Sequence, residues 1–151
     1  MLLSRMQRLC SSREYCTYDI EQKLVKEELS ADEILRLLTN LTKETFIDDL
    51  RYARAFANDK IKFAGWGPEK IVYTLKSKKI SNEIINDVKE SFDRDFSKIQ
   101  LKKILEQKLR GISKGEEREK LLAKLVRFGV SRGFGYGDVY EVSKQIIKFN
   151  E

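Results

Sequence analysis

The 151-residue chain contains no histidine. That removes the commonest general base and the commonest zinc ligand at once. It has two cysteines, Cys10 and Cys16, six positions apart and therefore not a C-x-x-C pair. Such spacing is expected of reduced thiols in a cytoplasmic protein rather than of a disulfide framework. There is one proline, and the eight glycines are few for this length. With helix breakers this scarce, and Lys, Glu, Leu and Ile abundant, helices are the expected elements. No stretch approaches the ~20 apolar residues of a membrane span. The start, MLLSRMQRLCSS, lacks the apolar run of a signal peptide.

What is present is charge, unevenly placed. Residues 14–49 hold ten acids against Lys23, Lys26, Arg36 and Lys43. Residues 98–151 hold thirteen Lys and Arg against seven acids, and residues 60–79 hold six lysines against Glu69 alone. One acidic third joined to a basic remainder suits a body that touches a partner of mixed charge. A dedicated DNA binder would carry a continuous basic stripe instead.

Periodicity predicts eight or nine helices and no strand. Residues 2–12 use Leu2, Leu3, Met6 and Leu9. Thr17 is the expected cap of a helix over 18–28. SADE at 30–33 reads as a capping box ahead of Ile34, Leu35, Leu38 and Leu41. The next helix places Phe46, Leu50, Ala53, Ala57, Ile61 and Ala64 in one stripe, with Tyr52, Phe56 and Phe63 beside it as expected core. GWGPEKI at 65–71 combines a helix stop at Gly65 with a start at Gly67-Pro68. Trp66 and Ile71 then occupy hydrophobic-staple positions. Ser81 caps a helix with Ile84, Ile85 and Val88 inward, and 94–110 forms another. SKGE at 113–116 reads as a second capping box, ahead of Leu121, Leu122, Leu125 and Phe128. After the break at RGFGYGD, 132–138, a last helix carries Val139, Val142, Ile146 and Ile147.

The apolar skeleton repeats. Shifted by 51, Ile20, Leu24, Leu29, Ser30 and Ile34 fall on Ile71, Leu75, Ile80, Ser81 and Ile85. Shifted back by 54, Leu125, Phe134, Val139 and Val142 fall on Ile71, Ile80, Ile85 and Val88, with departures at Gly129 and Gly135. A period near 50 residues indicates a tandem helical array, an architecture that presents surface to macromolecules.

The constellations do not supply chemistry. Asp48 and Asp49 stand at a helix start, where a carboxylate accepts unpaired N–H groups and meets the positive end of the helix dipole. With no histidine, and with Asp59 three turns away, they lack the companions of a metal or acid–base site. RGFGYGD contains G-x-G-x-G, but no strand precedes it and no Lys, Ser or Thr opens the helix, so it is a turn rather than a phosphate cradle. The pair 68–79 and 81–91 has helix-turn-helix spacing. Its second helix carries Glu83, Asp87 and Glu90 against Lys89, which DNA phosphates repel. No catalytic residue, metal ligand or cofactor is expected, and the chain is not expected to be an enzyme.

The stretch FIDDLRYARAFANDKIKFAGWGPEKIVYTLKSKKIS resembles the centre of the RecX family, the regulators of the RecA recombinase. Phe46, Ile47, Asp48, Asp49, Tyr52, Ala53, Gly67, Pro68, Ile71, Leu75 and the Lys79-Ile80 turn carry the likeness, and these residues read as structural. REYCTYDIEQKL (13–24) resembles the first repeat, with Cys16 and Thr17 where Ser is usual and Ile20 in place of part of a Glu-Leu pair. LVRFGVSRGF (125–134) resembles the third. The resemblance implies an all-α fold of three tandem three-helix repeats, over 1–45, 46–97 and 98–151, in an elongated, curved array. It implies a cytoplasmic monomer without membrane contact, seated in the groove of the RecA–DNA filament. There it would inhibit filament growth, ATP hydrolysis, strand exchange and repressor co-cleavage in recombination, DNA repair and the SOS response. Weak direct DNA contact is also expected. The basic surplus nominates Lys70, Lys78, Lys79, Arg127 and Arg132 as partner-binding residues. The competing reading is a general nucleic-acid-binding helical module that uses the basic C-terminal third.

Overall fold

The computed structural model describes residues 1–150, and among these the expected helices form and no strand does. The order is α1 Leu2–Ser12, α2 Thr17–Val25, α3 Ala31–Lys43, α4 Asp49–Asp59, a π-helical turn Lys60–Ala64, α5 Pro68–Ser77, α6 Asn82–Glu90, α7 Arg94–Arg110, α8 Arg118–Ser131 and α9 Tyr136–Phe149. Among the described residues no helix is long and apolar enough to cross a membrane. The described residues are all-α, with α7 beginning at Arg94, ahead of the expected 97/98 division.

Two compact units are present. The first comprises Met1–Asn58 and Thr74–Val88, and the second Asp59–Tyr73 with Lys89 onward. The first unit packs Met6 and Cys10 of α1, Ile20 and Leu24 of α2, Leu38 and Leu41 of α3, with Tyr15 and Ile47. The second packs Leu101 and Leu105 of α7, Leu125 of α8, and Val139, Val142, Ile146 and Ile147 of α9 around Phe134. These are the i, i+3, i+4 and i+7 positions that helical spacing places on one face.

The repeat is written in the backbone as well as in the apolar pattern. Glu28, Lys79 and Gly133 all have positive φ (55°, 56° and 96°). They are related by the same shifts of 51 and 54 that align the apolar residues. At two of them the helix closes in the same way: Ile80 N–H donates to Leu75 O, and Phe134 N–H to Gly129 O, both at 3.2 Å. This left-handed closure satisfies carbonyls that the helix end would otherwise leave bare.

Several local expectations need correction. Thr17 does not cap α2. Cys16 holds that position without a side-chain bond, and the helix stops at Val25 rather than at 28. The SKGE box does not form, because Gly115 has φ 91° and α8 starts only at Arg118 behind Glu117. The SADE box is half made: the Ser30 hydroxyl accepts from Glu33 N–H at 3.2 Å, but the Glu33 carboxylate faces the Ser30 hydroxyl, not its N–H. Phe63 is not core but 84% exposed, Leu35 is 62% exposed, and Phe56 is half-buried. Phe63 fails for a geometric reason. The stripe assumed 3.6 residues per turn, and the wider π turn advances each residue through a smaller angle, so the apolar face rotates away. Gly65 ends the turn at φ 67°, as expected, and Gln100 Nε2 donates to the Ile61 carbonyl at 3.0 Å.

Candidate partner-binding surface

In the first unit the Asp48-Asp49 pair works as capping, divided between two helices. Asp48 Oδ1 accepts from Arg51 N–H at 3.0 Å and so caps α4. Asp49 Oδ1 instead accepts from Thr17 N–H at 2.8 Å and Thr17 Oγ1 at 3.0 Å, satisfying the start of α2. One carboxylate thus joins α4 to α2. Arg51 Nε donates to Glu14 Oε2 at 2.7 Å, and its Nη2 to the Thr45 carbonyl at 3.1 Å. The hydrogen bond to Glu14 is the main cause that raises the Arg51 pKa. Arg54 makes a forked pair with Asp87, its Nη2 at 2.9 and 3.1 Å from the two carboxylate oxygens. Ile47, Tyr52 and Ala53 are buried, and so are Gly67, Ile71 and Leu75 of the same motif, whereas Phe46 and Pro68 are half-buried. Burial pushes both the Cys16 thiol and the Tyr52 phenol up to about 12. Both cysteines are free and buried.

In the second unit the start of α5 abuts the turn between α8 and α9. Gly67 N–H donates to Arg132 O at 2.7 Å and Glu69 N–H to Gly133 O at 2.9 Å. Carbonyls leaving α8 therefore satisfy N–H groups entering α5, aligning opposite ends of two helix dipoles. Two glycines allow this approach. A Cβ on Gly67 would lie 2.5 Å from the Gly133 carbonyl carbon and oxygen, and one on Gly133 would lie 2.2 Å from Lys70 Cβ. Trp66 is half-buried, and Lys60 Nζ and Lys70 Nζ lie 4.8 and 4.4 Å from its ring centre.

The five nominated cations are not equivalent. Lys78 Nζ donates to Asp19 Oδ1 at 2.6 Å, which is the main cause raising its pKa, so this lysine ties the turn after α5 to α2 within the first unit. Lys79 is exposed, with Nζ 5.5 Å from the Tyr18 ring. Lys70 sits over Trp66. Arg132 is half-buried, donating from Nη1 to the Ala64 carbonyl at 3.3 Å. Arg127 is exposed, on a groove of about 570 Å³ that it lines with Lys108 and Lys124. Lys108 Nζ and the Arg132 guanidinium lie 5.2 and 5.3 Å from the Phe128 ring. Lys108 and Lys124 were missed as individual residues. Their signal in the sequence is the basic surplus of residues 98–151; Lys124 stands one turn before Arg127 on α8 and pairs with Glu116 at 3.1 Å, and the packing of α7 against α8 sets Lys108 beside them. Among the described residues no group of three His, Cys, Asp or Glu side chains could hold a metal ion.

Residues 48–88 match the family model of the second three-helix domain of RecX. The chain is 32% identical over 131 residues to regulatory protein RecX of Clostridium botulinum (strain Eklund 17B / Type B), covering 86% of this chain and 61% of that one. It is 35% identical over 129 residues to regulatory protein RecX of Clostridium tetani (strain Massachusetts / E88), covering 85% and 59%. The chain therefore spans about three fifths of the length of these two relatives. A crystal structure of regulatory protein RecX has the same fold, with a TM-score of 0.83 at 24% identity over 95% of this chain and 70% of that one.

Proposed function

The chain belongs to the RecX family, and from that premise we propose that it is a non-enzymatic, cytoplasmic regulator of a RecA-type recombinase. It binds the recombinase–DNA filament as a monomer and mostly inhibits filament growth, ATP hydrolysis and co-protease activity. The observation that carries this reading is the match of residues 48–88 to the second RecX domain. Several polar residues of that segment are committed internally: Asp48 and Asp49 to helix starts, Arg54 to Asp87, Lys78 to Asp19. Partner contact is therefore assigned to exposed charged side chains, within that segment and beyond it. Of the nominated cations, Arg127 and Lys79 are the exposed ones, and Arg127 has Lys108 and Lys124 beside it. Such a cluster suits acidic protein surface or DNA phosphate. Lys70 and Arg132 are proposed as flanking contacts, and Lys78 as the least available.

Co-sedimentation with recombinase–ssDNA filaments tests the proposal, read together with filament ATP hydrolysis. The protein should pellet with filaments far more than with bare ssDNA and should slow ATP turnover. Lys108→Glu with Arg127→Glu should weaken recruitment while leaving the helical spectrum intact. Equal, salt-sensitive pelleting with ssDNA alone would instead establish the general nucleic-acid module.

A further inference from the structure

A second surface, in the first unit, is independent of the recombinase reading. Helices α1 and α2 enclose a groove of about 580 Å³. Leu9, half-buried on α1, and Met6, a core residue one turn before it that is 5% exposed, supply its apolar lining, and Arg5, Arg8, Lys23 and Lys26 stand around it. Ser12 and Glu27 complete the lining, so Glu27 is its one acid. Arg8, Lys23 and Lys26 are exposed. This sign is opposite to that of the surrounding sequence, where residues 14–49 carry ten acids against four cations. Arg5 is paired with Glu27.

We propose that the α1–α2 groove is a docking site for an acidic amphipathic helix of a partner protein. Charge complementarity selects the occupant: four cations around an apolar strip match a helix with a Leu-type stripe flanked by Glu or Asp. From Arg5 to Ser12 the groove runs along about two helical turns, ~10 Å, enough for anchors at i, i+3 or i+4, and i+7. A nucleic acid fits less well. No aromatic side chain lines the groove to stack a base, and the apolar strip would be wasted on phosphate. Glu27 occupies Arg5 as an incoming carboxylate would, and so acts as an internal competitor.

The test is a titration of the intact protein with a fluorescein-labelled helical peptide of about 15 residues, Leu at i, i+3/i+4 and i+7 and Glu elsewhere. Anisotropy is read at low and high salt. Binding is expected, weakened about tenfold by Arg8→Glu with Lys26→Glu and by high salt. Glu27→Gln, which frees Arg5 without adding a charge, should tighten binding about threefold. Both variants change exposed side chains, and circular dichroism checks their fold. Four results would overturn the proposal: no binding at millimolar peptide; equal binding by the double variant; equal binding of a scrambled peptide of the same charge, which would leave the apolar strip unused; or displacement of the peptide from this groove by an oligothymidylate of equal charge.

Discussion

Replacing Gly67 by Ala adds one methyl group, yet the structure makes it costly. The added Cβ would lie 2.5 Å from the carbonyl carbon and oxygen of Gly133 and 2.6 Å from Phe134 N. All three are backbone atoms, so no side chain can rotate away. Restoring ordinary contact requires the start of α5 and the α8–α9 turn to separate by roughly 1 Å. That stretches Gly67 N–H to Arg132 O from 2.7 Å, and Glu69 N–H to Gly133 O from 2.9 Å, beyond hydrogen-bonding range. Two bonds at about 1 kcal/mol net each, plus about 1 kcal/mol of residual overpacking, give a loss of about 3 kcal/mol. For a chain of this size the midpoint of thermal unfolding should fall by about 6–12 °C. Urea denaturation followed by far-ultraviolet circular dichroism gives the free energy, and Trp66 fluorescence reports the same junction locally. Gly137→Ala is the control, because a Cβ there meets nothing within 4 Å and its φ is not positive. In the first turn of α9 it should be neutral or stabilising by up to about 1 kcal/mol. A Gly67→Ala protein within about 0.5 kcal/mol of the parent, or a Gly137→Ala protein equally damaged, would refute the close-approach argument.

Asp49→Ala removes both bonds to Thr17 and should cost about 1–3 kcal/mol, whereas Asp48→Asn, which keeps the cap on Arg51 N–H, should cost close to nothing in the same urea titration. Above pH 9 the protein should lose stability. The Cys16 and Tyr52 pKa values are raised to about 12 by burial, from 9.0 and 10.0. Their contribution is complete below the unfolded values and disappears as pH rises to about 12, because the unfolded chain releases these protons first. The slope is about 1.4 kcal/mol per pH unit per group, and Cys16→Ala should flatten it; an unchanged slope would remove the buried thiol as a cause. Phe63→Ala should leave thermal stability within about 0.5 kcal/mol because the ring is 84% exposed. Phe56→Ala, half-buried and stacked on Tyr52 with ring centres 5.9 Å apart, should cost about 1–2 kcal/mol, less than the ~3–5 of a fully buried ring.

The amino-acid sequence alone determined the all-helical class, most helix bounds and the apolar skeleton of the repeat. These rest on local physics: few breakers, one apolar residue every three or four, and Ser30, Ser81, Gly65 and Pro68 acting on their own backbones. The family likeness was legible for the same reason, since Gly67-Pro68, Ile71 and Leu75 are motif and local structure together. What the sequence could not show depends on which distant atoms meet. Asp49 caps a helix 32 residues earlier in the chain rather than its own. Gly129 and Gly135 look like lapses in the repeat. A Cβ on Gly129 would lie 2.6 Å from Val139 Cγ1, and one on Gly135 would lie 3.1 Å from Glu69 Oε1, so glycine keeps both approaches open. The left-handed turns at Glu28 and Lys79 carry no glycine to announce them, and they emerge only when their φ values are set beside that of Gly133. Lys78 and Arg132 look like free cations in a list of charges, yet tertiary packing spends one on Asp19 and half-buries the other against the Ala64 carbonyl. A charge count along the chain is blind to direction and to partner, whereas hydrogen bonds and close contacts act over about 3 Å between residues that only the folded chain brings together.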